Sequence, residues 1–160
     1  MKGKTLALGL ALATSVVGER WYNHAFNSET TLLAKMIYGE ARGCSIEEKK
    51  LVAETAVNRR DISINSKKPQ TLKEVILAPS QYHCMHGLFG SNSWKVRLAS
   101  KDDPNFAQCY QVAEEALAGK YQNHGLVSYH TIGSSPSWGR SPKLQRVSTP
   151  GMKHTFYASK

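Results

Sequence analysis

The sequence predicts a mainly helical α+β domain, because helical patterns occupy its first two thirds and strand patterns follow only later. Four helix-start signals lie between Ser28 and Pro104, and each precedes apolar residues at three- and four-residue spacing. After Gly125 the pattern changes to a short run that favours a β-strand. We therefore expect a helical lobe, a small β-rich or irregular lobe, and a cleft between the two.

The first predicted helix begins at Ser28 or Thr30, either of which can cap it. Glu40 continues the apolar face of this helix one turn beyond its last apolar residue, so its carboxyl group is expected at the rim of the core. Gly39 and Gly43 flank Glu40, which suits a helix end that a ligand can approach closely. The apolar positions are Leu33, Met36 and Ile37.

Two capping boxes predict the next two helices. The box at 45–48 opens a helix that we expect to end near 59–61, before a polar loop over 61–70. The box at 71–74 opens a short helix that stops before Pro79.

The remaining chain is expected to contain one long helix and two short strands. Residues 80–102 are rich in glycine, serine and asparagine and are expected to be irregular. Asp103, followed by a proline, opens a helix that Gly119 ends. A strand is predicted over 126–131, and a final short strand contains 156–157.

The charge balance points to an anionic partner. Twenty-one Lys and Arg against twelve Asp and Glu give a formal net charge of +9. Nucleic acid, anionic lipid and the acidic bacterial wall all match this sign. The hydrophobic content of 41% argues against disorder over most of the length.

The N-terminal segment is typical of an exported protein. Two lysines precede an apolar run over 6–17, so residues 1–18 are interpreted as an export signal or a transient membrane segment. Twelve helical residues reach about 18 Å, well short of a hydrocarbon core of about 30 Å, so a stable span is not expected. Residues 19–27 would form a connector and 28–160 the catalytic domain. The domain is expected to be exported to the periplasm or cell wall, either directly or by way of a transient membrane-tethered state.

Four motifs follow one another along residues 32–157. They read IYGEARG at 37–43, VAETAVNR at 52–59, PSQY at 79–82, and a closing group of VSYH at 127–130, Trp138 and GMKHTFY at 151–157. In this order they resemble the cell wall hydrolase family of the spore-cortex-lytic enzymes. The resemblance implies a lysozyme-like domain that cuts between the sugars of peptidoglycan, with Glu40 in the place of the family's single catalytic glutamate.

The residues available for chemistry agree with that expectation. Cleavage of a glycosidic bond needs a carboxylic acid to protonate the leaving oxygen, and apolar surroundings raise the pKa of such an acid. Hydrolysis needs a second carboxylate, whereas a lytic transglycosylase uses a hydroxyl of the substrate itself. No Asp or Glu follows Glu115, which favours the transglycosylase, although Glu54 and Asp61 remain possible partners. Aromatic and amide side chains bind sugars, and the expected substrate contacts are Gln81, Tyr129, His130, Trp138 and His154.

Four other interpretations stay open. Glu40 could be a helix-end carboxylate paired with Arg42 or a lysine, or the enzyme could be a hydrolytic muramidase or glucosaminidase. A basic module that binds wall or nucleic acid without catalysis, or a zinc amidase, would also fit the charge. The favoured interpretation expects a monomer that binds peptidoglycan glycan strands, contacts the membrane transiently, and uses no nucleic acid, cofactor or metal.

The cysteines number three, at Cys44, Cys84 and Cys109. In an exported chain we expect one disulfide and one free thiol, with the pairing left open. A disulfide at Cys44, four residues from Glu40, would hold the site closed until the chain leaves the membrane. The cluster at 83–86 lacks a second ligand pair, so no zinc site is expected.

Overall fold

The computed structural model of the protein describes residues 28–86 and 93–160, and in this part of the chain five α-helices precede three β-strands. The mainly helical α+β class is therefore confirmed. The predicted leader (1–18) and connector (19–27) lie outside the described residues. The elements are α1 (Glu29–Ala41), α2 (Ile46–Ile64), α3 (Leu72–Ile76), α4 (Ser93–Leu98), α5 (Pro104–Leu117), β1 (Leu126–Thr131), β2 (Leu144–Val147) and β3 (His154–Ser159), with single 3-10 turns at His83–Met85 and Ser137–Arg140.

The predicted helix starts are confirmed, because each cap side chain accepts a hydrogen bond from a backbone amide of the first turn. The box at 71–74 is complete, since the Glu74 carboxylate also accepts the amide of Thr71 at 2.7 Å. The box at 45–48 is only half formed: Ser45 accepts the amide of Glu48 at 3.2 Å, but the Glu48 carboxylate turns into the protein. The four caps are Ser28, Ser45, Thr71 and Asp103.

Two predicted boundaries are wrong. Helix α2 runs on to Ile64, because no glycine or proline interrupts the chain before Pro69. The segment 80–102 is not irregular throughout, since it contains a 3-10 turn and α4. Tertiary packing stabilises α4: Val96 is 1% exposed, and the buried Lys35 ammonium donates to the carbonyl of Arg97 at 2.9 Å.

Helix α1 lies at the centre of the core and is buried on most of its circumference. It packs against α2 and α5, and its Tyr38 hydroxyl donates to the Asp103 carboxylate at the start of α5 at 2.6 Å. Burying each large aliphatic side chain contributes roughly 1.5–3 kcal/mol. This core holds the last turn of α1, and with it Glu40, in a fixed place. Its fully buried members include Leu33, Met36, Ile37, Val52, Ala56 and Cys109.

The three strands form an antiparallel sheet in the order β1-β3-β2. Strand β2 was not predicted, because its four residues carry no clear alternation. Opposite Tyr129 on β1 lies Phe156 on β3, and these side chains face the helices. Side chains of neighbouring positions alternate between faces, so Tyr157 and its partner Arg146 on β2 lie on the other face.

Two glutamates of α2 fasten the sheet to the helical lobe. Glu48 Oε1 accepts the backbone amides of Lys153 and His154 at 2.8 and 2.9 Å, where β3 begins. Glu54 Oε1 accepts the amides of His124 and Leu126 at 2.7 and 3.1 Å, where β1 begins. Both carboxylates thus cap the first residues of a strand. Among the described residues no helix is long and apolar enough to cross a membrane.

Candidate functional site

A cleft of about 630 Å³ lies between the helical lobe and β1. Helix α1 contributes Glu40 from its last turn, and α2 contributes Arg59. The other walls come from the chain after α3, from β1, and from the segment leading into β2. They are Ser80, Gln81, Tyr82, Ser128, Tyr129, His130, Thr131, Trp138, Ser141, Lys143 and Leu144.

Glu40 is partly buried on the floor of this cleft. Its neighbours are Tyr82, Cys84 and Tyr129. Burial raises the pKa of each of these groups, and the Glu40 charge raises it further. No ion pair joins Glu40 to any Lys, Arg or His of the described residues. The helix-end pair with Arg42 therefore does not form; the Arg42 guanidinium lies over the Tyr38 ring, 5.6 Å from its centroid.

Tyr129 supplies a neutral hydroxyl beside Glu40. Burial raises the pKa of Tyr129 well above its usual range, and the negative charge of Glu40 raises it further. The hydroxyl oxygen is buried and makes no well-formed hydrogen bond within the described residues. Burial and the Glu40 charge also raise the pKa of the Cys84 thiol. Tyr129 and Cys84 thus place neutral groups beside Glu40, while Arg59 lines the same cleft.

Arg59 joins three walls of the cleft. Its Nε donates to the carbonyl of Val127 at 2.6 Å, and its terminal nitrogens donate to Gln81 Oε1 and, at 3.3 Å, to Ser128 Oγ. The guanidinium also lies 5.8 Å from the centroid of the Tyr82 ring. Arg59 therefore fixes Gln81 at the cleft rim relative to β1.

An aromatic cluster closes one end of the cleft. The His130 ring lies 5.8 Å from the Trp138 ring and 5.6 Å from the Tyr157 ring, and His130 Nε2 is 3.1 Å from the Tyr157 hydroxyl. Trp138 is 41% exposed, so its face is accessible to a ligand. Exposed aromatic faces of this kind suit the apolar faces of sugar rings.

Four of the five expected substrate contacts line the cleft together with Glu40: Gln81, Tyr129, His130 and Trp138. His154 does not. It is 6% exposed and lies behind Tyr129, with ring centroids 5.2 Å apart and its Nδ1 2.7 Å from Glu48 Oε1. His154 thus packs against a cleft residue without lining the cleft itself.

Several cleft residues were missed from the sequence. Tyr82 follows Gln81 within the PSQY motif, and that adjacency was an available signal. Leu144 carried none, because it reaches the cleft only through the unpredicted β2. The possible second acids, Glu54 and Asp61, do not line the cleft. Glu54 caps β1, and Asp61 pairs with Arg60 at 2.8 Å.

The expected disulfide is absent, because Cys44, Cys84 and Cys109 are all free thiols. Cys44 instead lies with Glu48 and His154, whose ligand atoms are all within 4.8 Å of one another. This donor set could hold a divalent cation only if the hydrogen bond between Glu48 and His154 were given up. The local contacts favour a strand anchor over a metal site.

A family model described as Cell Wall Hydrolase matches residues 43–157, more than two thirds of the chain. The protein therefore belongs to the cell wall hydrolase family, and its general role is to cleave peptidoglycan. The match contains every cleft residue except Glu40, which lies three positions before it. No curated protein and no solved structure matches the chain.

Proposed function

We propose that the protein is a lytic transglycosylase that cuts the glycan strands of peptidoglycan, with Glu40 acting first as acid and then as base. The observation that carries this proposal is that Glu40 is the one carboxylate lining the cleft in the described part of the chain. Residues 87–92 read GLFGSN and contain no acid, and residues 1–27 contain only Glu19. A hydrolase that uses two carboxylates lacks its second one here.

The proposed reaction needs one proton donor that can recover its proton. Protonated Glu40 gives its proton to the glycosidic oxygen while the bond from that oxygen to C1 breaks and positive charge develops on the sugar ring. The C6 hydroxyl of the same sugar then attacks C1 and returns its proton to the Glu40 carboxylate. The product carries a 1,6-anhydro ring, and the enzyme regains its starting state without a water molecule.

The surroundings of Glu40 support both halves of this cycle. The carboxyl group is partly buried beside Tyr82 and Tyr129 and lines the cleft, where it can meet the glycosidic oxygen of a bound strand. The adjacent Tyr129 hydroxyl can donate to the carboxylate produced by that step. The exposed Trp138 at the far end of the cleft offers a face for a neighbouring sugar.

Mass spectrometry of digested, purified peptidoglycan tests the proposal. The wild type should release anhydro-muropeptides, and Glu40→Gln should release none. Glu114→Gln, an exposed carboxylate on α5, is the matched control and should behave like the wild type. Reducing-end products from the wild type would make the enzyme a hydrolytic glycosidase. Equal digestion by Glu40→Gln, or no digestion by any of the proteins, would instead favour a binding module.

We further propose that the domain acts outside the cytoplasmic membrane, where peptidoglycan lies. The apolar run over 6–17 after two lysines supports export. Fusing residues 1–27 to alkaline phosphatase, which is active only after export, should give active phosphatase. An expressed but inactive fusion would contradict export.

A further inference from the structure

A second cavity adjoins the cleft on the outer face of the sheet. Its volume is about 390 Å³, and His130 lines both it and the cleft. Arg140 and Arg146 line its wall, one from the turn before β2 and the other from β2 itself. We call this cavity the arginine pocket. Because the two cavities share His130, a chain branching from a ligand in the cleft can reach the arginine pocket.

Two neutral polar side chains of the arginine pocket, Ser134 and Tyr157, are already engaged in hydrogen bonds. Ser134 Oγ is 3.0 Å from His130 Nδ1 and 2.9 Å from the carbonyl of Thr131. The Tyr157 hydroxyl is 3.1 Å from His130 Nε2. The strongest hydrogen-bond donors left to meet a ligand are the two guanidinium groups.

No acidic group neutralises these arginines. Residues 116–160 contain six Lys and Arg and not one Asp or Glu. Neither Arg140 nor Arg146 forms an ion pair with a carboxylate of the described residues. Guanidinium groups bind carboxylates with two parallel hydrogen bonds, so the arginine pocket suits a carboxylate ligand.

Peptidoglycan carries its carboxylates on a particular part of the polymer. The amino-sugar backbone is uncharged where a stem peptide is attached, whereas the stem peptide itself bears free carboxylates. We propose that Arg140 and Arg146 bind a stem-peptide carboxylate of a strand whose sugars occupy the cleft. This inference rests on the proposed function and adds that the enzyme selects glycan bearing charged stem peptides.

Neutralising the stem-peptide carboxylates tests whether the enzyme selects glycan with charged stem peptides, and it leaves the glycan length unchanged. Peptidoglycan freed of phosphate-containing wall polymers by hydrofluoric acid is divided, and one half is treated with carbodiimide and methylamine to convert carboxylates into neutral amides. The wild type should cleave the neutral half with a kcat/KM about tenfold lower, mostly through KM, since each exposed ion pair contributes up to about 1 kcal/mol.

The variant Arg140→Gln/Arg146→Gln should cleave the charged substrate about tenfold less well and lose nothing further on the neutral one. Lys67→Gln/Lys68→Gln is the matched control, because it removes two positive charges from an exposed loop that does not line the cleft. This control should keep the wild-type preference.

Equal cleavage of both substrates by the wild type would overturn the inference, as would an arginine double variant that still prefers the charged substrate. If the arginine double variant cleaves less well than the wild type only before hydrofluoric acid treatment, the pocket binds wall phosphate polymers. That result would also overturn the inference. Failure of the proposed function is distinguishable, since it appears as activity that survives Glu40→Gln or as no cleavage by the wild type.

Discussion

Glu40 and Glu48 lie eight residues apart on consecutive helices, yet their carboxylates have opposite surroundings. Glu48 is 2% exposed and accepts two backbone amides and the ring nitrogen of His154. Glu40 accepts no backbone amide among the described residues and faces the neutral side chains of Tyr82, Cys84 and Tyr129. The Glu48 carboxylate is therefore engaged by hydrogen bonds of the fold, whereas the Glu40 carboxylate lines the cleft.

The difference comes from where each glutamate lies relative to a strand end. The free amides at the start of β3 need an acceptor, and Glu48 in the first turn of α2 supplies it. Glu40 lies in the last turn of α1, where the helix opens onto the cleft. The same residue type therefore serves structure in one place and the proposed chemistry in the other.

The largest expected effect is a loss of activity, without a loss of stability, when Glu40 is replaced. Glu40→Gln should lower kcat on purified peptidoglycan about 10³-fold, since removing a general acid costs roughly 10²–10⁴-fold. Its midpoint of thermal unfolding should stay within about 2 °C of the wild type, because no backbone amide loses an acceptor. Steady-state turbidity assays and a thermal melt measure the two quantities. A variant that loses activity only in proportion to its unfolding would contradict the catalytic role.

The second prediction concerns Glu48. Glu48→Ala should lower the free energy of unfolding by about 3 kcal/mol, because two buried backbone amides and the His154 ring lose their common acceptor. Urea titration measures the loss. The adjacent Glu47→Ala is the control, since Glu47 is exposed and the loss of its ion pair with Lys50 should cost under about 0.5 kcal/mol. Similar losses in the two variants would show that Glu48 does not anchor β3.

The sequence was sufficient to predict what depends on local signals. Cap residues at Ser28, Thr71 and Asp103 fix where helices begin, and the apolar spacing of α1 brings Glu40 to the rim of the core. Contacts between residues distant in the chain were not predictable. The capping box at 45–48 indicated that Glu48 would bond to Ser45, but the amides of β3, more than a hundred residues away, compete for it successfully.

The same distinction applies to the candidate site. The motifs supplied Gln81, Tyr129, His130 and Trp138, all of which reach the cleft. His154 belongs to an equally distinctive motif but is buried against Tyr129, because its position in β3 is set by strand register and not by the motif.

The third prediction tests how closely the last turn of α1 is packed. A Cβ at Gly39 would lie 2.5 Å from Cys84 Sγ and 2.9 Å from Val96 Cγ2. Its position beside Glu40 had indicated that Gly39 lets a ligand approach closely. The structure shows instead that Gly39 allows close packing in the interior. Gly39→Ala should therefore destabilise the protein by about 1–3 kcal/mol despite the better helix propensity of alanine.

Gly43→Ala is the matched control for Gly39→Ala, because a Cβ at Gly43 would meet only the flexible end of Lys153 at 3.7 Å. Urea titration should show a change below about 0.5 kcal/mol for this control. A Gly39→Ala protein as stable as the control would mean that Cys84 and α4 can move away from Glu40.

The smallest expected effect concerns the thiol beside Glu48. Burial raises the pKa of Cys44, and the Glu48 charge raises it further, so the thiol stays protonated and reacts slowly. Cys44→Ser keeps a donor for Glu48 and should change the free energy of unfolding by less than about 0.5 kcal/mol. Its peptidoglycan-cleaving activity should equal that of the wild type with or without reductant.

Counting thiols completes this test. A disulfide at Cys44 could regulate the site, whereas a protein with three free thiols has no disulfide to regulate it. Denatured, unreduced protein should react with three equivalents of a thiol reagent. Folded protein at pH 8 should react slowly and at Cys44 alone, since Cys84 and Cys109 are buried and burial raises the pKa of Cys109 to about 11. One reactive thiol in the denatured protein, together with activation by reductant that Cys44→Ser abolishes, would restore the disulfide and place the control of Glu40 at the start of α2.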